Sequence, residues 1–121
     1  MTAGGRLTDV TGQHAGIGAG GGIVANAEDT GVFLRALMQG RLLDADRVAA
    51  MKGPALWLGG EVTGCGDVAY GWSGGADGFK TNVWVNGTGT RLAVLLLNGR
   101  TSGNDGDQTA GATLRRLYCA A

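Results

Sequence analysis

The sequence predicts an α+β domain in which helices flank an antiparallel strand meander. Two observations carry that expectation. Phe79 to Val85 alternates in polarity, Asn86-Gly87-Thr88-Gly89 is a hairpin signal, and an apolar run follows from Leu92. On either side of this pair lie segments of helical spacing, one opening at Asn26 and one at Asn104.

Taken in order, residues 1–22 have neither helix nor strand period, and six glycines fall between Gly12 and Gly22. The short apolar run Ile23-Val24-Ala25 ends at Asn26, whose side chain suits an N-cap, with Asp29 at the third helical position favouring the positive dipole end. A helix is expected from Ala27 to Gln39, burying Phe33, Ala36 and Leu37 and stopping at Gly40. Gly31 inside it costs about 1 kcal/mol relative to alanine. Asp44 caps a second, short helix through Met51, and Pro54 closes that segment.

Strands follow. Ala55 to Val62 is a weak one and Asp67 to Trp72 a better one. In the next, Phe79, Thr81, Val83 and Val85 share one face and Lys80, Asn82 and Trp84 the other. The return strand, Arg91 to Leu97, has six consecutive apolar residues from Leu92, a pattern normally found buried on both faces in the middle of a sheet. The last helix places Ala110, Thr113, Leu114, Leu117 and Tyr118 on one stripe, with Arg115 and Arg116 on a solvated face opposite.

Composition bounds the function. The 121 residues suit one domain, and 10 basic against 10 acidic side chains leave no net field to attract nucleic acid or an anionic membrane. No apolar run approaches the length of about 18 residues that a spanning helix needs. Met1-Thr2-Ala3-Gly4-Gly5 is not the start of a secretory signal, since no basic region leads into an apolar stretch. Glycine, at 25 of 121, is roughly three times its usual share, yet a hydrophobic content of 44% is enough for a core. Cys65 and Cys119 permit one disulfide, although two free thiols are equally even.

Two letter-perfect motifs fail on context. Gly16-Ile17-Gly18-Ala19-Gly20-Gly21 matches the dinucleotide fingerprint, but no strand precedes it, so it reads as a turn-rich loop. Gly71-Trp72-Ser73-Gly74-Gly75 matches the nucleophile elbow, yet a strand follows where a helix is required. The single histidine, His14, lies upstream of that serine and reads as an ordinary loop residue. One histidine and two distant cysteines do not make a zinc site, and no cofactor is expected. Asn86-Gly87-Thr88 is a formal glycosylation sequon whose hairpin role explains it.

Together, several stretches resemble the C-terminal portion of the penicillin-binding serine hydrolases, above all secreted actinobacterial D-alanyl-D-alanine carboxypeptidases and class C β-lactamases. They are Leu7-Thr8-Asp9-Val10-Thr11, Gly21 through Asp29, Phe33-Leu34-Arg35-Ala36-Leu37 with Gly40-Arg41-Leu42-Leu43, and Cys65-Gly66 through Gly78-Phe79. Leu117-Tyr118-Cys119 resembles the family's last helix, which implies that Cys119 pairs with Cys65. The resemblance covers nearly all of this chain and about the last third of a family member. It implies the C-terminal part of a β-lactamase/transpeptidase-like fold: a partial domain over 1–121, with loop and helices over 1–53, antiparallel strands over 54–100 and a helix over 101–121.

The family's Lys/His-Thr/Ser/Gly-Gly strand matches Trp72, Ser73 and Gly74. By that resemblance the Ser73 hydroxyl meets a substrate carboxylate, Gly74 leaves room for the substrate backbone, and the Gly75 N–H is an oxyanion donor. Trp72 replaces the usual cation, and Asp77 stands where proline is common. No Ser-x-x-Lys occurs, because Ser73 and Ser102 are the only serines and neither has a lysine three residues on. The family's Tyr-x-Asn is missing too. No catalytic residue is therefore assigned, and the chain is expected to be inactive alone. The alternative is a non-catalytic peptide-binding module, for which the broad Trp72 indole is suited. The expected partner is an N-terminal part of the same fold, or a second copy, pairing along strand 91–97; a peptide or β-lactam ligand and an extracytoplasmic location follow from the resemblance.

Overall fold

A computed structural model describes residues 9, 18–53, 59–76, 78–98 and 104–121. His14, Pro54, the 55–58 part of the expected strand Ala55 to Val62, Asp77, Ser102 and the Leu7–Thr11 stretch apart from Asp9 lie outside the described residues. The architecture is α+β. After a short 3-10 turn at Gly18–Gly20 come helices α1 (Ala27–Met38) and α2 (Ala45–Met51). Strands β1 (Gly59–Val62), β2 (Val68–Ala76), β3 (Phe79–Asn86) and β4 (Leu92–Leu97) follow, and then helix α3 (Asn104–Ala120). The strands form one antiparallel sheet in chain order, β1-β2-β3-β4.

The caps expected at Asn26 and Asp44 are in place, whereas Asn104, expected as a possible cap, is the first residue of α3 itself. The Asp29 N–H donates to Asn26 Oδ1 at 2.8 Å, and the Arg47 N–H donates to Asp44 Oδ1 at 3.0 Å. Of the expected stripe of α1 only Leu37 is buried, and Ala36 is half-buried. Gly31, Leu34, Leu37 and Met38 turn inward, whereas Phe33 is 49% exposed. Gly31 faces β4, where a Cβ would lie 3.4 Å from Leu92 Cδ1, an ordinary van der Waals contact.

Strand alternation divides the core into two layers. On one face Val83, Val85, Leu92, Val94 and Tyr70 pack with Leu34 and Met38 of α1 and Val48 of α2. On the other, Ala69, Trp84, Ala93 and Leu95 pack with Leu114 and Tyr118 of α3. This arrangement corrects the expected position of the apolar strand. β4 is not in the middle of the sheet but at its edge. Its unbroken apolar run is explained by α1 on one face and α3 on the other, since a strand sandwiched between helices needs no polar alternation.

α3 buries Ala110, Leu114 and Tyr118, while Thr113 and Leu117 of the expected stripe face outward. Arg115 is not merely solvated, because its guanidinium lies 5.7 Å from the Trp84 ring centroid. Cys65 and Cys119 are joined in a disulfide that ties the end of α3 to the β1–β2 connection. The β3–β4 turn is built by Asn86, whose Oδ1 accepts from the N–H groups of Thr90 (2.9 Å) and Arg91 (3.1 Å). The tip docks on the helical layer, where Lys52 Nζ donates to the Gly87 carbonyl at 2.8 Å.

Candidate functional site

The candidate site is the second half of β2. That strand was expected to end near Trp72 but continues to Ala76, so Trp72, Ser73, Gly74 and Gly75 all lie on it. Its register against β3 pairs Trp72 with Val83, Ser73 with Asn82, Gly74 with Thr81 and Gly75 with Lys80. Among the described residues β1 accompanies β2 as far as Gly71, and residues 54–58, which precede β1, lie outside them. Among the described residues, no strand pairs with the other edge of β2 from Trp72 to Ala76. All four predicted residues are exposed, Trp72 to 37%.

The glycines around Ser73 do different work. A Cβ on Gly71 would stand 1.8 Å from the Val83 carbonyl oxygen, so the strands approach there only because Gly71 has no side chain. A Cβ on Gly75 would be 2.7 Å from the Phe79 carbonyl oxygen. Gly74 is the opposite case, with no atom within 4 Å of its absent Cβ. Gly71 and Gly75 are therefore required by the sheet, whereas Gly74 leaves space above it.

Alternation assigns the faces. Ala69 faces α3 and Tyr70 faces α1, so Trp72 and Gly74 fall on the α1 side and Ser73 and Gly75 on the α3 side. Ser73 shares its face with its cross-strand partner Asn82. The Ser73 side chain makes no hydrogen bond among the described residues. Asn82 is 8% exposed, and its buried Nδ2 has no acceptor among the described residues. An unsatisfied buried donor costs about 1–3 kcal/mol. Asn82 was visible in the sequence as the one uncharged polar residue between Lys80 and Trp84 on its face, but nothing there distinguished it as a site residue.

A second polar cluster lies at the other end of β2, about 20 Å from Ser73 by strand rise. The Tyr118 hydroxyl reaches both Asp67 carboxylate oxygens at 3.0 Å, and the Arg91 guanidinium lies 3.8 Å from the same carboxylate. Thr63, itself buried, donates to the Asp67 carbonyl at 2.9 Å. Burial first, and the hydrogen bond to Asp67 second, push the Tyr118 phenol up to about 12. A shallow depression lined by Asp67, Asn86, Thr90 and Arg91 opens beside it. Every titratable member of this cluster is paired with another, so it serves as a structural latch around the disulfide.

The Gly71–Gly75 motif sits within a strand that hairpins into another strand, not on a strand-to-helix elbow. Among the described residues, no three His, Cys, Asp or Glu side chains are grouped to hold a metal ion, and no helix is long and apolar enough to cross a membrane. The disulfide is compatible with an extracytoplasmic location. No family model matches the chain, and no solved structure matches it.

Proposed function

We propose that this chain is the sheet-bearing C-terminal portion of a β-lactamase-like or D-Ala-D-Ala carboxypeptidase-type serine hydrolase, with Trp72–Gly75 as one wall of its peptide site. The observation that supports this most is the exposure of Ser73, Gly74 and Gly75 on β2, along an edge that no described strand covers. An extended peptide end lying beside such a strand gains main-chain hydrogen bonds along the edge of β2. The Ser73 hydroxyl is then the donor to a terminal carboxylate. The acyl-forming serine and its base are supplied by another segment, since Ser-x-x-Lys does not occur here.

The reading carries a partner with it. β4 is an apolar edge strand whose outer side pairs with nothing among the described residues. Such an edge recruits a further strand, from an N-terminal part of the same fold or from a second copy. Light scattering at high concentration should find a dimer or a complex with the added N-terminal polypeptide; a clean monomer that ignores it counts against the pairing.

The deciding experiment is intact mass spectrometry after incubation with excess penicillin, with and without an N-terminal polypeptide carrying Ser-x-x-Lys. The chain alone should stay unmodified, and the mixture should form an acyl adduct on the added serine. An adduct on this chain alone would place a nucleophile in it and overturn the reading. One observation favours a second reading, a peptide-binding module without catalysis: the indole of Trp72 stands where the family has a cation, offering contact area in place of charge. Dipeptide binding without turnover in the mixture would select it.

A further inference from the structure

We infer that Asn82 is a positioning residue for Ser73, its buried amide holding the Ser73 oxygen so that the hydroxyl proton points to a ligand carboxylate. The inference rests on the proposed peptide site and adds to it a residue that the motif does not contain.

Three observations lead there. Ser73 and Asn82 are register partners in an antiparallel pair, so their side chains leave the sheet on the same face. Directly opposed Cβ atoms in such pairs stand about 4.5–5.5 Å apart, within the span of an asparagine amide and a serine hydroxyl. The Asn82 Nδ2 is enclosed and lacks an acceptor among the described residues. The Ser73 hydroxyl across from it is exposed and uses neither its proton nor its lone pairs on any described residue.

The chemistry of the two groups is complementary in one direction. An amide NH2 only donates, and a hydroxyl accepts through its lone pairs while donating its own proton elsewhere. When a carboxylate takes the Ser73 proton in a hydrogen bond, the oxygen becomes a better acceptor, and Nδ2 completes the chain from amide to hydroxyl to carboxylate. Linked hydrogen bonds strengthen one another in a poorly solvated site. The neighbours on β3 offer no substitute. Val83 faces the opposite layer, and Trp84 packs under Tyr118. Local rules are broken most often where function requires it, and a donor left unsatisfied until ligand arrives fits that pattern.

The test uses the full chain and acetyl-D-alanyl-D-alanine as probe, with affinity and thermal stability measured together. Asn82→Leu should weaken binding at least tenfold while its Tm equals or exceeds that of the unaltered chain, because an unsatisfied donor has been removed. A purely structural asparagine would move both quantities in the same direction. Ser73→Ala should lose a similar factor, and the double variant should bind no worse than Ser73→Ala alone, because the two act as a unit. Losses that multiply, or Asn82→Leu binding that is undiminished, overturn the inference and leave the peptide site standing. Failure of the unaltered chain to bind the dipeptide overturns both. Should Asn82→Leu misfold, the Asn82 side-chain NH2 signals in 15N NMR decide: they should shift when dipeptide is added to the unaltered chain and stay fixed in Ser73→Ala. A shift of equal size in both overturns the role.

Discussion

The Tyr118 hydroxyl stands 3.0 Å from both carboxylate oxygens of Asp67, at the point where α3 meets the connection between β1 and β2. The same ring meets Trp84 edge-on, with centroids 5.7 Å apart and planes at 84°. One side chain thus joins the apolar layer under α3 to a polar latch at its rim. Because burial and Asp67 raise the phenol from 10.0 to about 12, the folded chain holds this proton more tightly than the unfolded one. The resulting stability is fully present below pH 10 and is lost as pH rises through 12. Tm should therefore hold steady to about pH 10 and fall beyond it, and Tyr118→Phe should flatten that fall. At neutral pH the same variant should cost about 1.5–3 kcal/mol, the usual worth of a hydrogen bond to a charged group, by denaturant unfolding.

The disulfide acts at the same place by a different mechanism. Cys65 and Cys119 are 54 positions apart, so the bond closes a long loop that spans β2, β3, β4 and α3. Loop closure of this length restricts the unfolded chain by roughly 4 kcal/mol in the chain-entropy model. The Cys65→Ser/Cys119→Ser variant should show a correspondingly lower midpoint in urea. Its dipeptide affinity should fall much less, since Ser73 is held by β3 and not by the disulfide.

Much of this fold was legible in the sequence because its signals are local. Asn26 and Asp44 sit where their side chains reach the N–H three residues on, and Asn86-Gly87 announces a turn that Asn86 then builds with its own side chain. The face assignment of Phe79 to Val85 also held for Val83, Trp84 and Val85. What failed depends on partners distant in sequence. The phase of α1 follows from the sheet face it meets, where Leu34 and Met38 pack with Val83, Val85 and Leu92 while Phe33 stays outward. An apolar run such as 92–97 reports that both faces are covered but not whether both edges are paired, so β4 could be read as central although it is an edge. For the site, the motif residues were visible as Trp72 to Gly75, whereas Asn82 belongs to it only through sheet register.

Gly89 illustrates a turn that is also a docking point. Its φ of +71° lies in the left-handed region, and a Cβ there would stand 3.1 Å from the Arg35 carbonyl oxygen and 3.2 Å from Met38 Cβ. Gly64 has a similar φ of +83° but nothing within 4 Å. Gly64→Ala should therefore cost only the backbone term, about 1–2 kcal/mol. Gly89→Ala should exceed it, because the hairpin tip must also back away from α1 and loosen the Lys52 bond to Gly87. Paired thermal melts of the two variants measure the difference, and equal losses would show that the tip does not depend on α1.

Gly71 and Gly74 separate folding from binding within one motif. Gly71→Ala would drive a methyl group into the Val83 carbonyl, 1.8 Å from the ideal Cβ position, forcing β2 and β3 apart beside the buried Val83 and Trp84. Strain of that kind in a well-packed sheet costs about 1–3 kcal/mol, sometimes more. Gly74→Ala adds its methyl to open space on the α1 side, so the sheet should tolerate it with a Tm change of about a degree or two. The same methyl would project on the α1 face, against the side chains of a peptide paired along the edge of β2. The expected pattern is a destabilised Gly71→Ala and a stable Gly74→Ala that binds acetyl-D-alanyl-D-alanine at least tenfold more weakly than the unaltered chain. A Gly74→Ala chain that keeps full affinity would place the peptide elsewhere on the sheet and remove the principal support for a site along β2.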